Sequence, residues 1–428
     1  MKNFVFISPN FPDTYYRFCV GLKNAGFNVL GVGDEAYEKL NPRLREALTE
    51  YYRVSNLDNF DEEKEAVGYF ERKYGHIDYL ESNNEYWLRK DATLRELFSI
   101  DTGFKVEDLD NCQRKSMMKK HFEEAGVKVA PYILVGELKP LEEFAEKYGY
   151  PLFVKPDIGV GAEESYKIKN VDELHNFYAK KPKNCQFICE TFVSGDIVTF
   201  DGLADADSNA VYIASLECPP SISDILIKGD DMFYYCNPFI PKSFEKLGRA
   251  TIKAFGIKKR FFHIEYFRVT TPRPGLFKKG DIVGLEINAR SPGGYSPDMH
   301  NFANSIDCYS LYGQVMADLH PEVNCSPKYL VPCGARRDNV EYFYSDEDVL
   351  RTFKNNICNY GRYPDVFSGV MGNRFFMAKF DKVEDVELFK QYVNRRVNHH
   401  LDSNSNKSNS FTKVDGGGNI CDNHIDGA

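Results

Sequence analysis

A mixed α/β architecture that starts with a parallel sheet is predicted by three observations. Strand and helix signals alternate through the first 110 residues. Asn3–Ser8, Thr14–Ala25 and Phe27–Val32 form a strand–helix–strand run within about 30 residues, the span of a βαβ unit. The chain has 428 residues, 43% of them apolar, which supplies two or three cores at roughly 100–200 residues per domain.

In the first region the Thr14–Ala25 helix carries an apolar stripe (Phe18, Val20, Leu22) and closes at Gly26, a residue free to take the left-handed conformation that ends helices. Further strands are expected at Tyr51–Val54 and His76–Leu80, then a helix over Glu85–Phe98. The loop Ser8-Pro9-Asn10-Phe11-Pro12 lacks the glycine fingerprint of dinucleotide-binding folds, and Gly31-Val32-Gly33 does not supply it. From Asn111 a second region reads as helices over Arg114–Ala125 and Leu141–Tyr148, a strand Pro151–Pro156 carrying Lys155, and a loop Asp157–Ser165. A helix Val171–Tyr178, a strand Gln186–Cys189 and a connector Glu190–Asp196 follow.

The third region opens with a hairpin, Ile197–Leu203 and Ala210–Leu216, around the turn residues Asp205–Asn209. Ser221–Pro241 reads as a loop, Lys242–Phe255 and Ser305–Leu319 as helices, and Phe261–Val269 with Asp281–Ile287 as strands. From Asp402 the composition turns to Ser, Asn and Gly, and a disordered tail is expected. The division that results is 1–110, 111–196, 197–401 and a tail, 402–428. No internal repeat is visible.

Lys+Arg number 54 and Asp+Glu 63, a formal charge of −9, which argues against binding nucleic acid through bulk charge. No apolar run approaches the ~20 residues needed to cross a bilayer. The first apolar run is cut by Pro9 and Pro12 and reads as a strand, not a leader. The eleven cysteines are odd in number and form no CxxC pair, the pattern of ordinary thiols in a reducing, cytoplasmic setting.

The chemistry concentrates in Glu286-Ile287-Asn288-Ala289-Arg290. In a strand, residues two apart share a face, so Glu286, Asn288 and Arg290 project together. His263 and Glu265 share a face of the preceding strand, and hairpin pairing would bring Glu265 near Glu286. Two carboxylates and an amide oxygen make an all-oxygen site suited to Mg²⁺. An amphipathic hairpin with solvated charges would alternate in the same way. It leaves unexplained why Asn and Arg join both Glu on one face, just before Ser291-Pro292-Gly293-Gly294. Lys155, followed by a loop with Gly159 and Gly161, is a second such feature, since a lysine charge and open backbone N–H groups hold phosphates. His263 itself is expected to be a satisfied core or supporting histidine.

Together these features resemble the ATP-grasp superfamily of carboxylate–amine ligases over roughly Asn111 to Arg290. The first region is similar to the Rossmann-like domain that precedes it in such proteins. The motifs are short, and their order and spacing carry the likeness. The resemblance implies an ATP-grasp fold, two α+β subdomains clamping ATP. It implies ATP contacts from Lys115 and Lys155, from Gly159, Gly161 and Ser165 of the glycine-rich loop, and from Glu190, Phe192 and Val193 of the hinge. Asp196 stands where many members place a ribose-binding Glu. Glu265, Glu286 and Asn288 resemble the Mg²⁺ (or Mn²⁺) ligands. Arg290 and Lys155, with the backbone of Gly293 and Gly294, form the implied catalytic set. The loop lacks the Ser common after its glycines.

The implied reaction activates a carboxylate as an acyl phosphate, which an amine then attacks, releasing ADP and phosphate. Small-molecule carboxylate and amine substrates are implied, amino acids first, with no nucleic-acid or membrane partner, and a homodimer is compatible. Ser221–Pro241, Ser291–Met299 and Arg336-Arg337 are the expected substrate contacts. The alternatives are a bicarbonate-using carboxylase of the same superfamily, a nucleotide-binding regulatory protein without catalysis, and an α/β binding protein unrelated to ATP.

Overall fold

Three sheets organise the chain in the computed structural model, which describes residues 1–159, 165–218 and 230–397. The expectations for Gly161, for most of the loop after Lys155, for 221–229 and for the tail lie outside the described residues.

The first sheet has strands β1 (Asn3–Ile7), β2 (Asn28–Gly33), β3 (Glu50–Arg53) and β4 (Tyr79–Glu81), ordered β3-β2-β1-β4 and all parallel. Helices cover it because parallel strands need crossovers. One of them, Phe60–Tyr74, is absent from the sequence reading. Its apolar residues are spread among charges, yet its ends are marked. The Asn59 side chain accepts from Asp61 N–H, three acidic residues occupy the first turn, and Gly75 closes it.

The central sheet has nine strands, ordered β16-β17-β15-β12-β11-β10-β13-β14-β5. They are β5 (Lys128–Val129), β10 (Gly195–Ala204), β11 (Ala210–Cys218), β12 (Phe233–Asn237), β13 (Arg260–Val269), β14 (Ile282–Asn288), β15 (Val331–Arg336), β16 (Ile357–Arg362) and β17 (Arg374–Ala378). The third sheet, ordered β6-β9-β7-β8, is antiparallel and comprises β6 (Tyr132–Leu134), β7 (Leu152–Pro156), β8 (Tyr166–Ile168) and β9 (Phe187–Thr191). β5 joins the central sheet by pairing parallel to β14, so the chain enters the third sheet only at Tyr132.

The helix expected around Ser305–Leu319 is present as Cys308–Met316, and a separate helix that the sequence reading lacks precedes it. The preceding helix, Ser296–Asn304, ends where Ser305 turns left-handed (φ 54°), and the Cys308–Met316 helix begins where the Asp307 side chain accepts from Tyr309 and Ser310 N–H. One expectation is corrected. Glu190–Asp196 is not a free connector. Glu190 and Thr191 complete β9, Gly195 and Asp196 begin β10, and 192–194 alone link them.

The first sheet shares its core with the central one. Phe4, Phe18 and Leu22 pack with Leu203, Phe261, Tyr309 and Tyr312. The Tyr16–Asn24 helix crosses the Cys308–Met316 helix at Gly21 and Gly313. A Cβ on either glycine would come within 2.2 Å of a backbone oxygen of the other helix, so only glycine permits this approach. The third sheet instead encloses a core of its own, with Leu141, Phe144, Leu152, Leu174, Phe177 and Phe187. Among the described residues no helix is long and apolar enough to cross a membrane, and ten cysteines are free thiols.

Candidate active site

The hairpin register builds the first part of the site. Glu265 pairs with Glu286 and His263 with Asn288, while Leu285 is skipped in a β-bulge. On the other side of β13, Asp201 pairs with His263 and Thr199 with Glu265. Two cross-strand rows result: Thr199–Glu265–Glu286 and Asp201–His263–Asn288.

His263 is held at both nitrogens, Nδ1 2.7 Å from Asp201 Oδ1 and Nε2 3.2 Å from Glu265 Oε1. Burial alone would lower its pKa, but the Asp201 and Glu265 carboxylates raise it to about 10, so the ring is an imidazolium that donates to both. Burial works against Asp201 too, yet His263 and His300 hold its carboxyl below the ordinary range. The expectation of a satisfied supporting histidine is met. Glu286 behaves oppositely. Burial raises its pKa and Glu265 raises it further, against Lys115, Lys155 and His263.

The cationic part comes from the segment before the third sheet and from that sheet itself. Lys115 and Lys119 lie one helical turn apart on the Lys115–Glu124 helix, and Lys155 lies in β7. Lys119 Nζ is 3.2 Å and Lys155 Nζ 3.5 Å from Glu190 Oε1. Burial would raise the Glu190 pKa, but these two lysines hold it below its ordinary value. Burial lowers the pKa of Lys115 and of Lys119 despite the nearby carboxylates. The Lys115 ammonium donates to Gly159 O at 2.8 Å. Asp157, read from sequence as the start of the phosphate loop, is 1% exposed and caps this helix, accepting from Ser116 N–H at 2.8 Å and Ser116 Oγ–H at 3.0 Å.

The remaining expected residues are distributed around this centre. The Phe192 ring has Lys167 Nζ 3.7 Å from its centroid, and its carbonyl accepts from Arg273. Val193 is buried against Ala130, Val269, Phe277 and Val283. Asp196 pairs with Arg268 at the start of β10. Ser165 directly precedes β8.

Arg290 donates to Ser291 O at 2.8 Å and lies 3.8 Å from Glu85 Oε2. Gly293 and Gly294 have open space where side chains would be, Gly294 has φ 61°, and both precede the Ser296–Asn304 helix. Their backbone therefore sits at the positive end of a helix dipole.

Arg336-Arg337 do not form an available pair. Arg336 is 1% exposed and donates to Val393 O, Tyr392 O and Asp346. Arg337 lies 3.9 Å from Asp231 and donates to Ser368 O. Within Ser291–Met299, Asp298 is taken by Arg17 and Tyr309.

Four residues of this region were missed in the sequence. Lys119 is signalled by its spacing of four from Lys115, and Asp201 by its spacing of two from Thr199. Glu85 and Arg273 have no local signal, because their partners lie 205 and about 120 residues away (205 = 290 − 85).

Among the described residues no group of three or more His, Cys, Asp and Glu is arranged to hold a metal. What the hairpin offers is two carboxylates and an amide. The upward push on Glu286 from Glu265 is the repulsion a divalent cation would relieve. The donor set fits a hard cation that completes its shell with phosphate oxygens and water.

Comparison with known proteins agrees with this geometry. Residues 114–253 match the family described as carbamoyl-phosphate synthase L chain, ATP binding domain. The L-arginine-specific L-amino acid ligase of Bacillus subtilis is 26% identical over 230 residues, covering 52% of this chain and 53% of that protein. The carbamoyl phosphate synthase large chain of Bifidobacterium adolescentis is 34% identical over 197 residues, covering 44% of this chain and 17% of that one. The chain thus spans about half the length of the first relative and under a fifth of the second. The L-amino acid ligase structure of Bacillus licheniformis superposes with a TM-score of 0.67 at 17% identity, covering 94% of this chain and 99% of that one. The phosphoribosylglycinamide synthetase of Anaerococcus prevotii gives 0.63 at 13% identity, over 92% and 99%.

The central and third sheets, with the lysines between them, have the fold of the ATP-grasp ligase structures. A parallel-sheet domain stands in front of them, and residues 114–253 are the part similar to the carbamoyl-phosphate synthase ATP-binding domain.

Proposed function

We propose that the chain is an ATP-dependent carboxylate–amine ligase acting on amino acids or similar small acids. One observation carries this reading. Glu286, paired across a hairpin with Glu265, lies within electrostatic reach of Lys115 and Lys155, which come from a helix and a separate sheet. ATP-grasp proteins in general bind ATP and a divalent metal, and this arrangement has the charges for both.

In this mechanism Lys115 and Lys155 hold the ATP phosphates. Lys119 keeps Glu190 ionised and oriented in the nucleotide pocket, beside the backbone of Phe192 and Val193, and Asp196 reaches the ribose. Glu265, Glu286 and Asn288 would hold Mg²⁺ (or Mn²⁺), which when bound would supply charge that neutralises the phosphates. His263, charged and fixed by Asp201, keeps the Glu265 carboxylate pointing inward. Arg290 positions the carboxylate for phosphoryl transfer. The amine then attacks the acyl carbon. The Gly293-Gly294 backbone, at its helix N-terminus, faces the developing oxyanion. Closure of the third sheet excludes water, which would otherwise hydrolyse the acyl phosphate. The free thiols suit a cytoplasmic setting, and the residues named here all come from one chain.

The test is ADP and phosphate release with Mg·ATP and a pool of amino acids, followed by mass spectrometry of the product. Release that Glu286→Ala abolishes is expected. Nucleotide binding without turnover in any acid pool would overturn the ligase reading.

A further inference from the structure

The ligase reading leaves the second substrate unspecified, and one residue outside the expected set bears on it. Glu85 follows β4 at the carboxyl end of the first sheet, the edge where open α/β sheets present ligand-binding groups. Its loop is well fixed. Asp91 accepts from Ser82 N–H and Oγ–H at 3.0 and 2.6 Å, and Tyr15 donates to Asn83 O at 2.8 Å. The loop delivers the Glu85 side chain, 10% exposed, towards Arg290.

The carboxylate is only partly satisfied there, by Gln113. Oε2 is buried and has no hydrogen-bond partner, and the nearest Arg290 nitrogen is 3.8 Å away, beyond hydrogen-bond range. Arg290 meanwhile donates to the Ser291 carbonyl. Arg260, Gln113 and Glu286 are the other polar groups that face Glu85. Arg260 is engaged by Glu81 and by Ala289 O at 3.0 Å. A buried acceptor left open beside the acyl-transfer region is costly unless a donor arrives with the ligand.

The charges state which donor. Glu286 lies with Glu265, Lys115, Lys155 and His263, and Glu190 is paired with Lys119 and Lys155, whereas Glu85 Oε2 is open to a donor. An amino acid brings its amine mostly as an ammonium ion at neutral pH, a donor that a carboxylate favours. Glu85 is the carboxylate that can receive it.

We propose that Glu85 docks the ammonium group of the attacking substrate, so that the second substrate is a primary amine that arrives charged, an amino acid being the simplest case. This rests on the ligase reading. Glu85 and Arg290 then divide the two substrates between them, Arg290 on the acyl group and Glu85 on the incoming amine. Glu85 takes one ammonium proton, which frees the nitrogen lone pair for attack, and the second proton leaves with the phosphate as the amide forms.

Hydroxylamine separates this from a role in merely positioning Arg290. It is largely neutral at pH 7 and traps an acyl phosphate as a hydroxamate without needing an ammonium site. The full chain and its Glu85→Gln variant are each given Mg·ATP and the amino-acid pool, with and without excess hydroxylamine. Hydroxamate should stay near the wild-type level in Glu85→Gln, while amide product falls about tenfold or more and the amine KM rises. Parallel loss of both products, with the ATP-induced thermal shift kept, would overturn the proposal by showing that Glu85 acts through Arg290. Unchanged amide formation would overturn it as well. If Glu85→Gln loses the thermal shift, Glu85→Asp is judged by hydroxamate against amide under the same criteria. Absence of hydroxamate from the wild-type chain would instead sink the ligase reading itself.

Discussion

Two four-stranded sheets flank the nine-stranded one, and they are attached to it by different means. The first shares a hydrophobic core with it, crosses it at the Gly21–Gly313 contact, and is tied through the buried pair Glu81–Arg260, with Arg95 Nη2 3.5 Å from the same carboxylate. The third keeps its core to itself and is linked by the 130–131 and 192–194 segments, by polar contacts with the Lys115–Glu124 helix (Lys119–Glu190, Lys115–Gly159 O and Ser116–Asp157), and by Arg273. That guanidinium, on the β13–β14 connection, donates to Tyr148 O and Gly149 O at 2.7 Å, Pro151 O at 3.0 Å and Phe192 O at 3.2 Å. A shared core resists relative movement because it must be reopened to water. A self-contained unit joined mainly by polar contacts can swing more readily. We propose that the first sheet is a fixed wall of the site and the third its movable cover.

Substitutions at the two attachments should part company. Gly313→Val gives the largest expected effect. The new side chain meets backbone at the helix crossing, so stability should fall by about 3 kcal/mol or more, with a matching drop in the thermal midpoint. If the midpoint holds, the shared core is not what joins the first sheet. Glu81→Ala comes next. It strands Arg260 in the interior, and chemical denaturation should register a loss of about 3 kcal/mol, at the lower end of the range for breaking a buried ion pair.

Arg273→Ala should be smaller in stability, about 1–2 kcal/mol, and local. Hydrogen exchange should speed up across 132–191 while β1–β4 stays protected, and the apparent KM for ATP should rise. Uniform exchange across all three sheets would contradict a separately moving cover. Lys128→Ala, which removes an exposed pair with Asp281 at the β5 edge, should cost at most about 1 kcal/mol by denaturant titration. It provides the baseline against which the others are read.

Much of the site was readable because strand alternation is a strong local code. Glu286 and Asn288 could be placed on one face from spacing alone, and Glu265 joins them through the expected hairpin pairing of β13 with β14. In the third sheet β7 and β9 were equally visible as apolar runs, whereas the three-residue strands β6 and β8 were not. What escaped depended on distant neighbours or on weak local contrast. The Phe60–Tyr74 helix hides a narrow apolar stripe (Ala66, Val67, Phe70) among charges. The Ser296–Asn304 helix begins directly after small residues that resemble a loop. Asp157 has the composition of a loop residue, and only the packed helix shows that it is a cap. Arg336 looked available because adjacent arginines are usually solvated. Its burial is set by the backbone of Tyr392 and Val393, nearly sixty positions later.

The Arg273 staple has a consequence for how the cover responds to its surroundings. All four of its acceptors are neutral carbonyls, and two of them close the Leu138–Tyr148 helix, at the negative end of its dipole. No carboxylate takes part, so nothing in the staple can be protonated as the medium becomes acidic, and no ion pair is there for dissolved salt to compete with. The hinge should keep its stiffness across ionic strengths that weaken the lysine–phosphate contacts it brings together. Nucleotide affinity in this protein would then follow salt through the lysines alone, while the swing of the cover stays constant.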